Sequence, residues 1–289
     1  MGKSSRDKRD VFYRLAKEGN FRARSAYKLI QIDEEFDLFT GVFHVVDLCA
    51  APGSWSQVVS QRLASDKNEG ERAVKIVAVD LQAMAPLPGV VQIQGDITKK
   101  GTAEAIIEHF EGKSAHLVLC DGAPDVTGLP DFDEYVQAQL LLAAFNIATN
   151  VLVPEGTFLA KLFCGKDVLV LLSHLQKFFK EVVIAKPRTS RNSSIESFVL
   201  CKTYCPPLQY VPNIDKSLLG SPELLDSPHP RFPFKACGNQ ISYDSDTTYP
   251  LQLEDSTSYE YREPEQAPIS PPYAHFLSLQ HNHKIRTLH

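Results

Sequence analysis

Four aspartates, Asp47, Asp80, Asp96 and Asp121, each close a short apolar run, in "HVVDLC", "KIVAVD", "VVQIQGD" and "HLVLCDG". Singly, such an acid is an ordinary helix cap or turn residue. Repeated at the ends of successive strands, the four carboxylates would converge on one edge of a sheet, where they accept hydrogen bonds from a ligand. The first belongs to "DLCAAPGSWSQ", residues 47–57. Ala50, Ala51, Gly53 and Ser54 make this turn small enough for a ligand to press on the backbone. A dinucleotide site needs G-x-G-x-x-G here to approach a pyrophosphate, and only Gly53 is present. The ligand expected is nucleoside-like without two phosphates, which disfavours an NAD-dependent dehydrogenase. Asp80 is placed to accept from its ribose diol, and Asp96 from an adenine amino group or a neighbouring polar atom.

These residues need a sheet to hold them. The runs at 44–49, 75–80, 90–96, 116–122 and 157–163 are β-branched, bounded by turn residues, and alternate with helical patterns such as "SWSQVVSQRLA", "TAEAIIEHF", "DEYVQAQLLLAAFNIATNVL" and "DVLVLLSHLQKFFK". A βαβ series of this kind predicts an α/β fold, a mostly parallel sheet with helices on both faces and ligands outside its carboxyl edge. Two further strands, "VVIAKP" and "SIESFVLCKTY", are joined by only "RTSRNS", a link short enough to demand an antiparallel hairpin. Seven strands with the last antiparallel are expected.

The chain of 289 residues carries a net charge of −5, unevenly distributed. Residues 1–28 hold nine cations against three acids, about +6, which leaves about −11 for the remainder. Such asymmetry predicts a local polyanion-binding arm over 1–24, and the aromatic Tyr27 among Arg22, Arg24 and Lys28 points to nucleic acid. No apolar run approaches the roughly 18 residues that span a bilayer. The six cysteines show neither C-x-x-C nor zinc spacing, so free thiols in a reducing, cytoplasmic setting are expected. A nuclear pool is compatible with this. Beyond a catalytic domain over 25–205, twelve of the nineteen prolines fall in 206–289. Disorder is the default for that composition. Tyr243, Tyr249, Tyr259, Tyr261 and Tyr273 instead suggest a segment laid extended over the domain or a partner.

"DLCAAPGSWSQ", "VAVDLQ", "GDIT", "CDGAPDVTG" and "AKLF", in this order, resemble the FtsJ/RrmJ family of S-adenosylmethionine-dependent RNA 2′-O-ribose methyltransferases. The likeness runs from about residue 7 to 204. "RDVFYRLAKEGNFRARSAYKL", "PRTSRNSSIESF", "SYDSDTTYPL" and "PISPPY" are similar to the eukaryotic members that methylate the tRNA anticodon loop at positions 32 and 34. The resemblance implies a Rossmann-like sheet with a reversed last strand. It also implies a catalytic Lys-Asp-Lys-Glu tetrad at Lys28, Asp121, Lys161 and Glu196, and S-adenosylmethionine contacts from Gly53, Trp55, Asp80, Asp96 and Asp121. No metal is required by this chemistry.

Methyl transfer to a ribose hydroxyl needs an in-line approach, a route for the proton and shielding from water. Lys161 acts as a base only when neutral, against a reference pKa of about 10.4, and two adjacent carboxylates oppose neutrality. It therefore either orients the hydroxyl as a donor or takes its proton late, with Asp121 and Glu196 fixing the amine and Lys28 aligning the substrate. Arg22, Arg24, Lys28, Lys186, Arg188 and Arg191 are expected to hold RNA phosphates around the cleft. A ribose 2′-hydroxyl separates RNA from DNA, and a looped strand presents it most readily. The resemblance further implies tRNA as partner, together with a helical-repeat or WD-repeat helper subunit that selects the position. The rival readings are a ribosomal RNA methyltransferase of the same family and an inactive scaffold that binds tRNA or a helper.

Overall fold

Val45 and Val46 are both fully buried, on opposite faces of one sheet. The same alternation separates Leu117 and Leu119 from Val118 and Cys120, as the period-two geometry of a strand covered on both faces requires. The computed structural model describes residues 5–65, 73–112, 114–124, 129–166, 168–214, 231–239, 243–253 and 259–265. In chain order its elements are α1 (Ser5–Arg9), α2 (Val11–Glu18), α3 (Ala26–Phe36), β1 (His44–Leu48), α4 (Ser54–Ser65), β2 (Lys75–Asp80), β3 (Val90–Gln94) and α5 (Lys100–His109). They continue with β4 (Ala115–Cys120), α6 (Pro130–Val151), β5 (Leu152–Phe163), α7 (Val168–Gln176), β6 (Phe179–Pro187), β7 (Glu196–Tyr204) and β8 (Phe234–Cys237).

The strands lie in the order β3-β2-β1-β4-β5-β7-β6-β8. From β3 to β5 all pairs are parallel, while β7 runs antiparallel to both β5 and β6, forming the expected hairpin. The chain winds one way from β1 and the other way from β4, so a crevice opens between those strands at their carboxyl ends. Helices α3 and α4 cover one face through Leu29, Ile32, Trp55 and Val59. Phe145 and Leu172, from α6 and α7, and Ile106 from α5 cover the other.

The sheet has eight strands among the described residues, not seven. The eighth comes from the proline-rich tail: β8 pairs parallel with β6 from Ile184↔Phe234 to Pro187↔Cys237. An edge strand leaves a row of unpaired backbone groups, and the tail satisfies those of β6. Later tail segments pack on α1 and α2. Tyr243 and Tyr249 meet edge to face at 5.1 Å and join Val11, Phe12 and Leu253 in a small core. Tyr259 donates to Asp7 at 2.7 Å, and the Lys17 ammonium sits 4.4 Å from the Tyr261 ring. Tyr273 lies outside the described residues.

The described part of the basic arm expected over 1–24 packs on the domain as well. From Ser5 onward the stretch is helical, and α2 buries Val11, Phe12 and Ala16. Several of its cations are used internally: Lys17 pairs with Asp7 at 2.7 Å with both side chains under 5% exposed. Arg14 reaches Glu18 and the carbonyl of Leu251.

Candidate active site

The tetrad residues come from four separate elements, and the register of the sheet explains how three of them meet. In the β5–β7 ladder Lys161 faces Phe198 and Phe163 faces Glu196, so Lys161 and Glu196 are diagonal neighbours on one face. In the β4–β5 ladder Cys120 lies beside Ala160, which brings the next residue, Asp121, alongside Lys161. Phe198 belongs to the core under α3, so this face looks towards α3, and Lys28 on the first turn of that helix completes the group.

The resulting contacts form a continuous chain of charge. Lys161 Nζ lies 2.8 Å from Asp121 Oδ1, donates to the Asp121 carbonyl at 3.0 Å, and lies 3.6 Å from Glu196 Oε2. Lys28 Nζ lies 2.8 Å from Glu196 Oε1 and 2.9 Å from Oε2. Ser190 Oγ donates to Glu196 Oε1 at 2.5 Å. Burial disfavours the Lys161 ammonium, but the Asp121 and Glu196 carboxylates outweigh it and raise its pKa above the usual lysine value. Burial likewise opposes the Glu196 carboxylate, and Lys28 and Lys161 overcome it, holding its pKa at about 2. In the resting site Lys161 is therefore an ammonium donor, and Glu196 is held as a carboxylate between the two lysines.

Beside the tetrad, the crevice between β1 and β4 has a volume of about 980 Å³. Cys49, Ala51, Pro52, Gly95 and Gly122 line it with little side-chain bulk, and Leu81, Ile97, Val136 and Leu140 supply apolar walls. Asp80, Asp96 and Asp121 all face it, as the strand-end acids predict. Asp80 already accepts from the Ala51 amide at 2.9 Å and the Gln82 amide at 2.8 Å, one on each oxygen, which fixes its orientation and leaves one lone pair per oxygen. Asp96 takes both the amide and the hydroxyl of Thr98 on Oδ1, at 2.9 and 2.7 Å. Burial alone would raise its pKa; these bonds lower it. Asp47 differs. It is fully buried, accepts from Ser56 Oγ at 2.6 Å, and burial pushes its pKa up to about 7. Its role is to tie the start of α4 to β1.

Several expected contacts fall elsewhere. Trp55 is 2% exposed, donates from Nε1 to the Ser25 carbonyl at 2.8 Å and packs 5.6 Å from the Phe198 ring. Its indole is core that joins α3 to α4, not a wall of the crevice. Gly53 does not line the crevice either. Its φ of +102° favours glycine, and a Cβ there would lie 2.9 Å from Arg22 Nη1. Arg22 and Arg24 both border the crevice, but as structural clamps. Arg22 donates to the carbonyls of Pro52, Ala85 and Pro86. Arg24 bridges Asp10 and the Thr189 carbonyl.

The hairpin cations are largely committed as well. Lys186 donates to the carbonyls of Ser194 and Glu196, both at 2.6 Å, and burial lowers its pKa. Arg188 donates to the Asn239 carbonyl at 3.0 Å. Arg191 alone of the six expected phosphate contacts stands on an exposed stretch and shows no side-chain bond among the described residues, although its carbonyl accepts from the Ser194 amide at 3.1 Å. Two residues that sequence reasoning missed hold the hairpin in place. Ser190 fixes Glu196, and Gln31 accepts from both the amide and the hydroxyl of Thr189, at 3.0 and 2.9 Å. Neither carries a local signal, because each bond spans two elements. Arg6 and Tyr13 from α1 and α2, and Pro264 from the tail, border the mouth of the crevice.

A family model for FtsJ-like methyltransferases matches residues 21–204. The chain is 59% identical over 286 residues to a human tRNA (cytidine(32)/guanosine(34)-2′-O)-methyltransferase, covering 97% of this chain and 85% of that one. Identity is 50% to the Schizosaccharomyces pombe protein of the same name, over 98% and 99% of the two chains. It is 38% to ribosomal RNA large subunit methyltransferase E of Pelagibacter ubique, over 68% and 93%. Among solved structures, a Plasmodium falciparum chain described as a ribosomal RNA methyltransferase superposes with a TM-score of 0.57 at 26% identity, over 65% of this chain and all of that one. With the matching segment spanning β1 to β7, the turns that line most of the crevice and all four tetrad positions, the chain belongs to the FtsJ-like methyltransferase family.

Proposed function

We propose that this methyltransferase uses S-adenosylmethionine to methylate the ribose 2′-hydroxyl of tRNA anticodon-loop nucleotides, at position 32, position 34 or both. One observation carries the reading: the unbroken chain Lys28–Glu196–Lys161–Asp121 reaches, through Asp121, a crevice whose small-residue turn and strand-end acids suit a nucleoside. The names of the relatives that align over nearly the whole chain support the choice of tRNA, whereas the ribosomal RNA enzyme aligns over 68% of it.

The residues fit the cofactor. Asp80 retains lone pairs for a ribose diol, Asp96 keeps Oδ2 for a polar atom, and the small side chains of the 49–53 turn admit an adenosine against the backbone. Bound there, S-adenosylmethionine supplies an electrophilic methyl group. The protein's part is to deliver the hydroxyl in line and manage its proton. Lys161 donates a hydrogen bond to the hydroxyl oxygen, and as the oxygen gains a methyl group and becomes acidic, its proton passes to the carboxylates flanking Lys161 or to solvent. Glu196, with Asp121, keeps Lys161 protonated. Lys28 aligns the ribose. A helper subunit of helical-repeat or WD-repeat type selects the nucleotide; since four of the tail tyrosines are occupied on α1 and α2, exposed tail residues remain for that contact.

Single-turnover methylation of undermodified tRNA, compared with ribosomal RNA, tests the proposal. Transfer to the 2′-oxygen of nucleotide 32 or 34, abolished in Lys161→Ala with cofactor affinity retained, is expected. Transfer to ribosomal RNA alone, or near wild-type rates for Lys161→Ala, would overturn it.

A further inference from the structure

A second cavity, of about 260 Å³, lies on the other side of β5 from the Lys161 amine. Glu134, Tyr135 and Gln137 of α6 line it together with Phe163 and Lys166. At roughly 30 Å³ per water it has room for about nine waters, ample for one planar ring system.

Three features give it a purpose. It is tied to the catalytic edge, since Gln137, 2% exposed, donates from Nε2 to the Lys161 carbonyl at 3.1 Å. Its rim is open and carries an aromatic ring: Tyr135 is 61% exposed. Finally, the Glu134 carboxylate lies directly on Gly165, where an added Cβ would fall 1.8 Å from its carboxyl carbon. The φ of Gly165 is not in the left-handed region, so this glycine makes room for a carboxylate and does not serve a turn. Asp131, also at the rim, has Lys166 Nζ at 3.1 Å, whereas the described residues place no cation on Glu134.

We propose that this cavity receives one unstacked, amino-bearing nucleobase of the substrate loop, stacked on Tyr135 and held by its amino group against Glu134. The inference rests on the RNA-loop reading above. Proteins that recognise looped RNA stack splayed bases on aromatic rings and bond their edges. A carboxylate accepts from the cytosine N4 amino group, while uracil presents a carbonyl oxygen at that place and is repelled. The base belongs to a nucleotide flanking the methylated one, because the cavity and the Lys161 amine that meets the reacting ribose lie on opposite sides of β5.

The test measures kcat/KM of the full chain on tRNA carrying cytidine or uridine at the 3′ neighbour of the methylated nucleotide, and separately at its 5′ neighbour. The wild type is expected to prefer cytidine about tenfold at one of the two places. Glu134→Gln, which adds a donor without changing volume, should reduce that preference to near unity. Tyr135→Ala, on an exposed residue whose loss leaves the fold intact, should raise KM for both bases, with S-adenosylmethionine affinity unchanged in both variants. An active wild type without cytidine preference at either place, or a Glu134→Gln enzyme that keeps it, overturns the nucleobase site alone. A wild type that methylates no tRNA overturns the underlying function, and the site with it.

Discussion

Replacing Glu196 by glutamine removes the one charge that both tetrad lysines face, at nearly constant volume. Its oxygens lie 2.8 Å from Lys28 Nζ, 3.6 Å from Lys161 Nζ and 2.5 Å from Ser190 Oγ. Despite burial, the two lysines bring its pKa from 4.5 to about 2. At about 1.36 kcal/mol per unit, the folded state favours the carboxylate by roughly 3 kcal/mol. Because the folded pKa lies below the unfolded one, that contribution is complete above pH 4.5 and disappears as the pH falls through 2. At about pH 3.5, roughly 2 kcal/mol of it remains. Glu196→Gln is therefore expected to destabilise the chain by roughly 3 kcal/mol at neutral pH and by about 1 kcal/mol less at pH 3.5, measured by urea unfolding. Methylation should fall in parallel, because Lys161 loses one of the two carboxylates that keep it charged. A loss below about 0.5 kcal/mol at neutral pH, the range of ordinary surface changes, would refute the ion-pair account. So would an equal loss at both pH values.

Other outcomes follow from the same geometry. Asp80→Ala should weaken S-adenosylmethionine binding about tenfold or more in calorimetry, since it removes the proposed diol acceptor and also releases the Ala51 amide. Asp47, with a folded pKa of about 7 against 3.8, contributes stability that is full below pH 3.8 and lost as the pH rises to 7. Asp47→Asn should accordingly flatten the fall in melting temperature across that range, and an unchanged slope would place the titration on another group. Ser190→Ala should lower kcat with little change in KM, and Ser190→Thr should recover part of it; a purely structural role would show neither split nor recovery. Removing residues 231–265 should lower the melting temperature by several degrees, because it exposes the edge of β6 and the α2 face under Tyr243 and Tyr249.

The amino-acid sequence by itself determined the parts of this protein that depend on neighbours along the chain. Alternating β-branched runs and amphipathic helices specify the parallel sheet, the short 188–193 link forces the antiparallel hairpin, and the acids that close the strands are bound to share its carboxyl edge. What those acids do was legible only in part. Asp80 and Asp96 face the crevice, while Asp47, identical in local pattern, is sealed beneath Ser56. Contacts across long separations decided the rest. Trp55 looks like a ligand contact until Ser25 and Phe198 enclose it, and Arg22 and Arg24 look like free cations until carbonyls from distant loops occupy them. The tail has the composition of a disordered segment, yet its described residues add β8 and anchor Tyr243 and Tyr249 on α2. Composition records the cost of ordering a chain but not the surface waiting to receive it. An unpaired strand edge and an uncovered helix face are properties of the folded domain, and they exist only once residues far apart in the sequence have met.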